Sequence, residues 1–493
     1  MAASNFGRSL SGILVATLFS IVMACGGGSN KNNNGSGTTP NPGGSNPAPG
    51  GTGTTGSGGT TTGGTTTGGS STGGTTTGGT GTTTGGTGTT SGGTTGGTTG
   101  SGSNPAQLVY AVEGTSLAGF AEQANGSVTA VSGVQSRSDL DDRVLAATPD
   151  SNWLFSVTRC TPPSCSDGFQ LFNQAINSGG PLGAPQQLLP NGQRTIGVIA
   201  DSTSRFVYAL SPVTRIPPIE SDTGCSAIQQ TLTAYLLASD GKLQPLNSSI
   251  KSVDSGDCPA SSGGFPQTEI IGFSQDSSGT WLWLTQAVWG RGPSDPNIMS
   301  VPVAADGKLG TLKNTGIRQY TQATHAAVAG QYLVVAETRD RETIAPNSMT
   351  TFRLQNGEPQ FATQCATSVS ACHAVFSIAT SADGKNVYTL AASEGATWLV
   401  SALALDPATG ALTPIGAPRS IARSVSGFSD DANRAMAVPH YLALDRAGQH
   451  LLISRVDENK ITTVAIDPVT GGLGAAVDSN AGGNPRAIVS AAK

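Results

Sequence analysis

The sequence predicts an all-β protein: a seven-bladed β-propeller of four-stranded antiparallel blades, with the ring closed by the C-terminal strand. Three observations carry this. Short β-prone runs alternate with Gly/Asp/Pro/Asn turn clusters, and in the best-defined unit no apolar run is long enough for a helix. A four-strand unit recurs seven times, each copy about 40 to 60 residues long. Finally, the folded region starts with a second strand that has no first and ends with a first strand that has no second.

In chain order, residues 1–25 read as an export signal. Arg8 gives a weakly basic start, and Ile13 to Ala24 is apolar but too short to span a bilayer. Val22-Met23-Ala24-Cys25 resembles a lipobox, so Cys25 is the expected acylated residue and the protein a lipoprotein. An ordinary secretory signal with an incidental cysteine is the alternative. Gly26 in place of Asp favours the outer membrane, by resemblance to Gram-negative sorting rules. Apart from Ala48 and Lys31, its only charge, residues 26–104 are Gly, Thr, Ser, Asn and Pro, with no Leu, Ile, Val or aromatic residue. Such a segment has nothing to offset the entropy of ordering and reads as a disordered tether. Its root-mean-square span would be roughly 50 Å.

Residues 105–493 carry the repeat. The best unit, Val438 to Leu473, contains Leu442-Ala443-Leu444, the turn Asp445-Arg446-Ala447-Gly448, Leu451-Leu452-Ile453, then Lys460 to Ile466 and the turn Asp467-Pro468-Val469-Thr470-Gly471. Ser381-Ala382-Asp383-Gly384-Lys385-Asn386-Val387-Tyr388 and Asp406-Pro407-Ala408-Thr409-Gly410-Ala411-Leu412 repeat its parts. Further copies lie around Phe206 to Leu243 and Trp281 to Leu309, with weaker ones at Tyr332, Trp153 and Leu108. A unit of this size cannot bury both its faces, and a ring of such sheets can. An all-β sandwich is the competing architecture. If Asn484 to Val489 supplies the missing innermost strand of the first blade, both end observations are resolved at once.

These units resemble the repeats of the seven-bladed lactonase-type propellers, the family that includes bacterial 6-phosphogluconolactonase. Pro439-His440-Tyr441, Ala382 to Tyr388 and Asp406 to Leu412 carry the resemblance, which covers roughly residues 105 to 493. It implies the propeller fold and, as one reading, opening of a sugar lactone at the propeller funnel. The chain departs from the family in its export signal, in its loop cysteines and in Ser454-Arg455, where an Asn-Glu pair would usually follow the second strand.

Of 26 Lys+Arg, Arg8 and Lys31 precede the domain, leaving 24 against all 31 Asp+Glu, a formal charge of −7. With no basic cluster to overrule that balance, nucleic acid is not an expected partner. Beyond Cys25, six cysteines fall as neighbours: Cys160 with Cys165, Cys225 with Cys258, and Cys365 with Cys372. An even count in an exported chain predicts three local disulfides. Loop closure gives roughly 2 kcal/mol for each short loop and roughly 4 for the long one. The alternative, metal binding with His373 beside Cys372, lacks the paired spacing of a zinc site.

Lactone hydrolysis needs a base or metal to activate water and donors to hold an oxyanion. In a propeller these would sit in the funnel where the innermost strands begin. Aligned on the first-turn glycines Gly448, Gly384 and Gly279, the blades place Arg143, Ile196, Ile271 and Phe376 level with His440. Arg486 follows Pro485 as His440 follows Pro439, Glu269 stands two residues before Ile271, and His373 and His325 lie about three residues off this level. The candidate catalytic set is His440, Arg143, Arg486, Glu269 and His373. It is a mixed ring, and each member also suits a solvated loop. Trp281, Trp283 and Trp289 read as packing residues. No nucleophile elbow, P-loop, HExxH or EF-hand loop is present. The expected protein is a monomer without cofactor or metal, held to the membrane by its lipid. Its expected role is to bind or scaffold an unknown protein or carbohydrate ligand, with an exported lactonase-like hydrolase as the alternative.

Overall fold

A computed structural model describes residues 107–134, 140–158, 169–189, 195–211, 214–216, 227–253, 268–288, 298–315, 322–338, 348–365, 369–372, 375–392, 397–422 and 441–493. Residues 1–106, which include the segments expected to be a signal and a tether, lie outside them. The described strands form seven antiparallel sheets, five of four strands and two of five. The innermost strands are Pro485–Ala492, Leu140–Ala147, Gly197–Ala200, Thr268–Gln275, Gln322–Ala329, Val375–Thr380 and Leu442–Leu444, for blades 1 to 7 in turn. Each neighbours the next around the ring, and blade 7's neighbours blade 1's. The fold is a closed seven-bladed propeller.

Ring closure is as expected from the two chain ends. Pro485–Ala492 pairs antiparallel with Gln107–Glu113, setting Val109 opposite Ser490 and Ala111 opposite Ile488. Gln107–Glu113 pairs in turn with Ser116–Glu122, and that strand with Val128–Ala130. The first blade thus takes its innermost strand from the end of the chain.

Period-two alternation sends the two faces of each blade into two different seams. On the second strand of blade 1, Leu108, Tyr110 and Val112 pack toward blade 2, whereas Val109 and Ala111 pack toward blade 7. Leu452 of blade 7 joins the latter seam, while Leu451 and Ile453 turn to blade 6. The apolar core is therefore a ring of seven clusters, one per seam. Trp283 is buried in one of them and Trp281 packs against it, whereas Trp289 lies outside the described residues.

One further device recurs around the ring. The turn between each blade's third and fourth strands carries a glycine with positive φ: Gly126, Gly180, Gly241, Gly307, Gly357, Gly410 and Gly471. Each lies against the preceding blade. A Cβ on Gly241, Gly307, Gly357 or Gly410 would fall 2.5, 2.2, 2.1 or 2.6 Å from the ring of Trp153, Phe206, Trp281 or Tyr332. Each of these aromatics is the first residue of its blade's second strand. Several of the glycine carbonyls also accept a hydrogen bond across the seam. Asn173 donates to Gly241 (2.6 Å), Ser300 to Gly357 (2.7 Å) and Thr351 to Gly410 (2.9 Å). Glycine is required there for its backbone conformation and for the close approach together.

The disulfide Cys365–Cys372, with Cα atoms 6.1 Å apart, clips the connection from the outer strand of blade 5 to the inner strand of blade 6. Cys160, Cys165, Cys225 and Cys258 lie outside the described residues. The ladder pairing Ile228 with Val253 sets side by side the two chain segments that lead to Cys225 and Cys258. Non-reducing peptide mapping of the purified protein is expected to show three bridges: Cys160–Cys165, Cys225–Cys258 and Cys365–Cys372. Free thiols at any pair would remove that bridge.

Candidate functional site

The mouth of the ring lies where the innermost strands begin, and one backbone feature recurs there. Each inner strand of blades 4, 5 and 6 carries a β-bulge, between Ile270 and Gly272, Ala323 and His325, and Val375 and Ser377. Blade 1 has the same irregularity near Arg486, opposite Ala111 to Glu113. Blade 2 has a larger one, in which residues 141–144 stand opposite the single residue between Ser156 and Thr158. A bulge re-aims side chains and ends regular pairing, which is how a ring of near-identical strands can present different groups at one end.

The sequence alignment level falls on these bulges. Ile271 and Phe376 are the inserted residues of blades 4 and 6. Phe376 is turned into the seam between blades 6 and 7, its ring 5.3 Å from Trp398 and 6.1 Å from Tyr441. Arg486 is the second residue of blade 1's inner strand and is half-buried. Arg143 and Glu269 occupy inner-strand positions of blades 2 and 4. His440 and His373 lie outside the described residues. Arg486 and Arg143 thus stand on adjacent inner strands, and the inner strand of blade 7, which follows His440 in sequence, adjoins that of blade 1 on its other side.

His325 sits nearer this level than expected. It pairs with Ala336, as Ser377 pairs with Leu390 one blade on, so it lies one position from the Phe376 level. The cause is the tight turn from Ala329 to Tyr332, two residues shorter than its counterpart from Thr380 to Val387 once the paired strand ends are matched. Its Nδ1 accepts a hydrogen bond from the Ile378 amide at 2.7 Å. The neutral ring therefore carries its proton on Nε2.

Glu113 is a mouth residue that sequence reasoning missed. It ends the second strand of blade 1, opposite Pro485, and its Oε1 accepts from the Gly482 amide at 3.1 Å. Burial pushes its carboxyl above the usual range, against the pull of the Gly482 and Gly483 amides. Its place beside the residue before Arg486 could be read only once the chain ends were paired.

Arg455 belongs to a local ion cluster. Its Nη1 meets Asp478 at 2.7 Å and its Nη2 meets Glu458, with Lys460 3.4 Å from both acids. The Arg455 side chain is 6 % exposed. It holds the head of blade 7 together.

A second cluster of ionisable groups lies at the opposite end of the ring, in the seam between blades 7 and 1. His450 Nδ1 stands 2.6 Å from Glu122 Oε1 and 3.3 Å from Asp445 Oδ2. Burial, and then the Asp445 charge, push the Glu122 carboxyl up to about 7. Sequence reasoning missed this cluster too, because Glu122 and His450 come from opposite ends of the domain.

No family model matches the chain, and no curated protein matches it. Solved structures do. A putative 6-phosphogluconolactonase from Bacteroides fragilis aligns with a TM-score of 0.52 at 14% identity, covering 80% of this chain and 99% of that one. A second, from Bacteroides uniformis, aligns with the same score and identity over 79% and 100%. The periplasmic gluconolactonase PpgL of Pseudomonas aeruginosa aligns at 0.52 and 16% identity over 79% and 99%. The chain shares their fold. That is the seven-bladed lactonase-like propeller. At such identities the likeness extends to architecture, and activity has to be argued from the mouth itself.

Proposed function

We propose that this propeller is an envelope binding module whose mouth takes an anionic carbohydrate. The observation that supports the reading is the order of the inner strands: Arg486 and Arg143 lie on the inner strands of neighbouring blades, and His440 precedes the inner strand of blade 7 in sequence. Guanidinium groups recognise carboxylate and phosphate through paired hydrogen bonds. At the same sequence level the other blades carry no charge, with Ile196, Ile271 and Phe376 there and Phe376 packed into a seam, so the basic groups gather on one side of the ring. The charged end of a sugar acid suits that basic side.

The second reading is an exported lactonase-like hydrolase. It is favoured by Glu113, a carboxyl raised by burial at the head of blade 1, opposite the start of the strand that carries Arg486. Turnover of δ-gluconolactone by the purified chain separates the two. The binding reading expects hydrolysis at the uncatalysed rate, with no change in Glu113→Gln or His440→Ala. Saturable turnover that these variants abolish would establish the hydrolase instead.

The lipid anchor belongs to the same proposal, motivated by Val22-Met23-Ala24-Cys25. Replacing Cys25 with Ser is expected to move the protein from the membrane to the soluble fraction. Unchanged membrane association would refute the lipoprotein reading and leave the mouth argument standing.

A further inference from the structure

At the turn end of six seams, the residue closing one blade's third strand is apolar: Ile176, Leu237, Val303, Leu354, Leu405 or Ile466. The turn hydrogen bonds align these with Glu122, since Gln123, Asn177, Ala238 and Ala304 each donate to the residue four further on. In four of those seams the facing residue, first in the second strand of the preceding blade, is Trp153, Phe206, Trp281 or Tyr332, and each pair shares an apolar cluster. In the seam between blades 7 and 1 the two positions hold His450 and Glu122. Both halves of one repeating contact have become ionisable together.

The geometry is that of a ligand set. The side chains of Glu122 and Asp445 are 3 % and 1 % exposed, and His450 is 16 % exposed. Their nearest donor atoms lie within 4.8 Å of one another. The remaining Asp445 oxygen, Oδ1, accepts from the Gln449 amide at 2.7 Å, which fixes that carboxylate in its turn. Glu122 Oε2 is buried and has no hydrogen-bond partner among the described residues. Two buried carboxylates thus face a single ring nitrogen, which can carry at most one proton. Gly126 lets blade 1 approach, since a Cβ there would lie 3.4 Å from His450 Nε2.

We propose that Glu122, Asp445 and His450 bind a divalent transition-metal ion of the zinc class, which pins blade 7 to blade 1. Two carboxylates and a neutral imidazole balance a dication, and zinc takes three such protein ligands with a water in the fourth position. The site departs from the metal-free expectation of the sequence. It uses none of the cysteines, and it lies at the far end of the ring from the proposed ligand mouth. Failure of either proposal leaves the other intact.

The test uses the intact chain, stripped with chelator and titrated with Zn2+ and separately with Co2+. Expected results are a single ion per chain, a Tm that rises with Zn2+ concentration, and visible absorption from bound Co2+. Glu122→Gln keeps the side chain's shape and is expected to weaken Zn2+ binding by at least about tenfold, as loss of a direct ligand should exceed the 10–100-fold effects seen for outer partners. The pair Glu122→Leu with His450→Phe rebuilds the apolar seam of the other blades. It is expected to fold with a Tm that no longer responds to Zn2+. No Zn2+ bound by the intact chain, or the same affinity in Glu122→Gln, overturns the proposal. In the first case the occupant of the cluster is a proton only.

Discussion

Truncation after Ala481 is expected to unfold the ring, whereas removal of residues 26–104 is expected to leave its melting temperature unchanged. The truncation takes away Pro485–Ala492, the innermost strand of blade 1, and exposes the backbone edge of Gln107–Glu113. It also removes Ala487 and Ala491 from the seam with blade 2 and Ile488 from the seam with blade 7. Burial of one Ile side chain contributes about 1.5–3 kcal/mol. The lost ladder and two opened apolar faces add several more, against the roughly 5–15 kcal/mol that folded domains hold in total. The open edge is also a template for aggregation. The tether deletion removes a segment whose composition offers nothing to a core. Melting curves of the two deletions against the full chain make the comparison. Equal melting temperatures for the truncated and full chains would contradict closure by the C-terminal strand.

The second large effect is expected at the seam glycines. Gly357 has φ of 79°, and a Cβ there would fall 2.1 Å from the Trp281 ring, a rigid group held in its own seam. Gly357→Ala therefore combines a left-handed backbone cost of about 1–2 kcal/mol with an overpacking cost of about 1–3. Gly416 provides the control, with φ of 71° and nothing within 4 Å of the added atom. Gly416→Ala is expected to lose only the first of these terms, about 1–2 kcal/mol. Denaturant midpoints of the two variants measure the difference. Equal losses would show that the aromatic–glycine contact contributes nothing to blade stacking.

Much of the fold was legible because local chemistry repeats. The turns Ser381 to Asn386 and Asp406 to Ala411 specify hairpins by themselves, and Asp406 accepts from Ala408 and Thr409 within its own turn. The unpaired strands at Leu108 and Ile488 could find partners only in each other. The mouth was less legible. Alignment on turn glycines assumes that every inner strand runs without interruption from its turn, and bulges at Ile271 and Phe376 break that regularity. The short turn of blade 5 moved His325 by two positions for a similar reason. The Glu122–Asp445–His450 cluster was least legible, because it depends on which blades become neighbours when the ring closes. A signal was nonetheless present. Glu122 is acidic at a repeat position where Ile176, Val303, Leu405 and Ile466 are apolar.

The most direct test of the proposed function is a calorimetric titration of the full chain with gluconate and with 6-phosphogluconate. The placement of Arg486 and Arg143 on adjacent inner strands predicts saturable binding, tighter for the doubly anionic ligand. Replacing Arg143 or Arg486 with Ala should weaken it by at least about tenfold, since charge-assisted hydrogen bonds contribute about 1.5–3 kcal/mol. The absence of binding heat for either sugar acid, or equal affinity in the arginine variants, would contradict an anion-binding mouth.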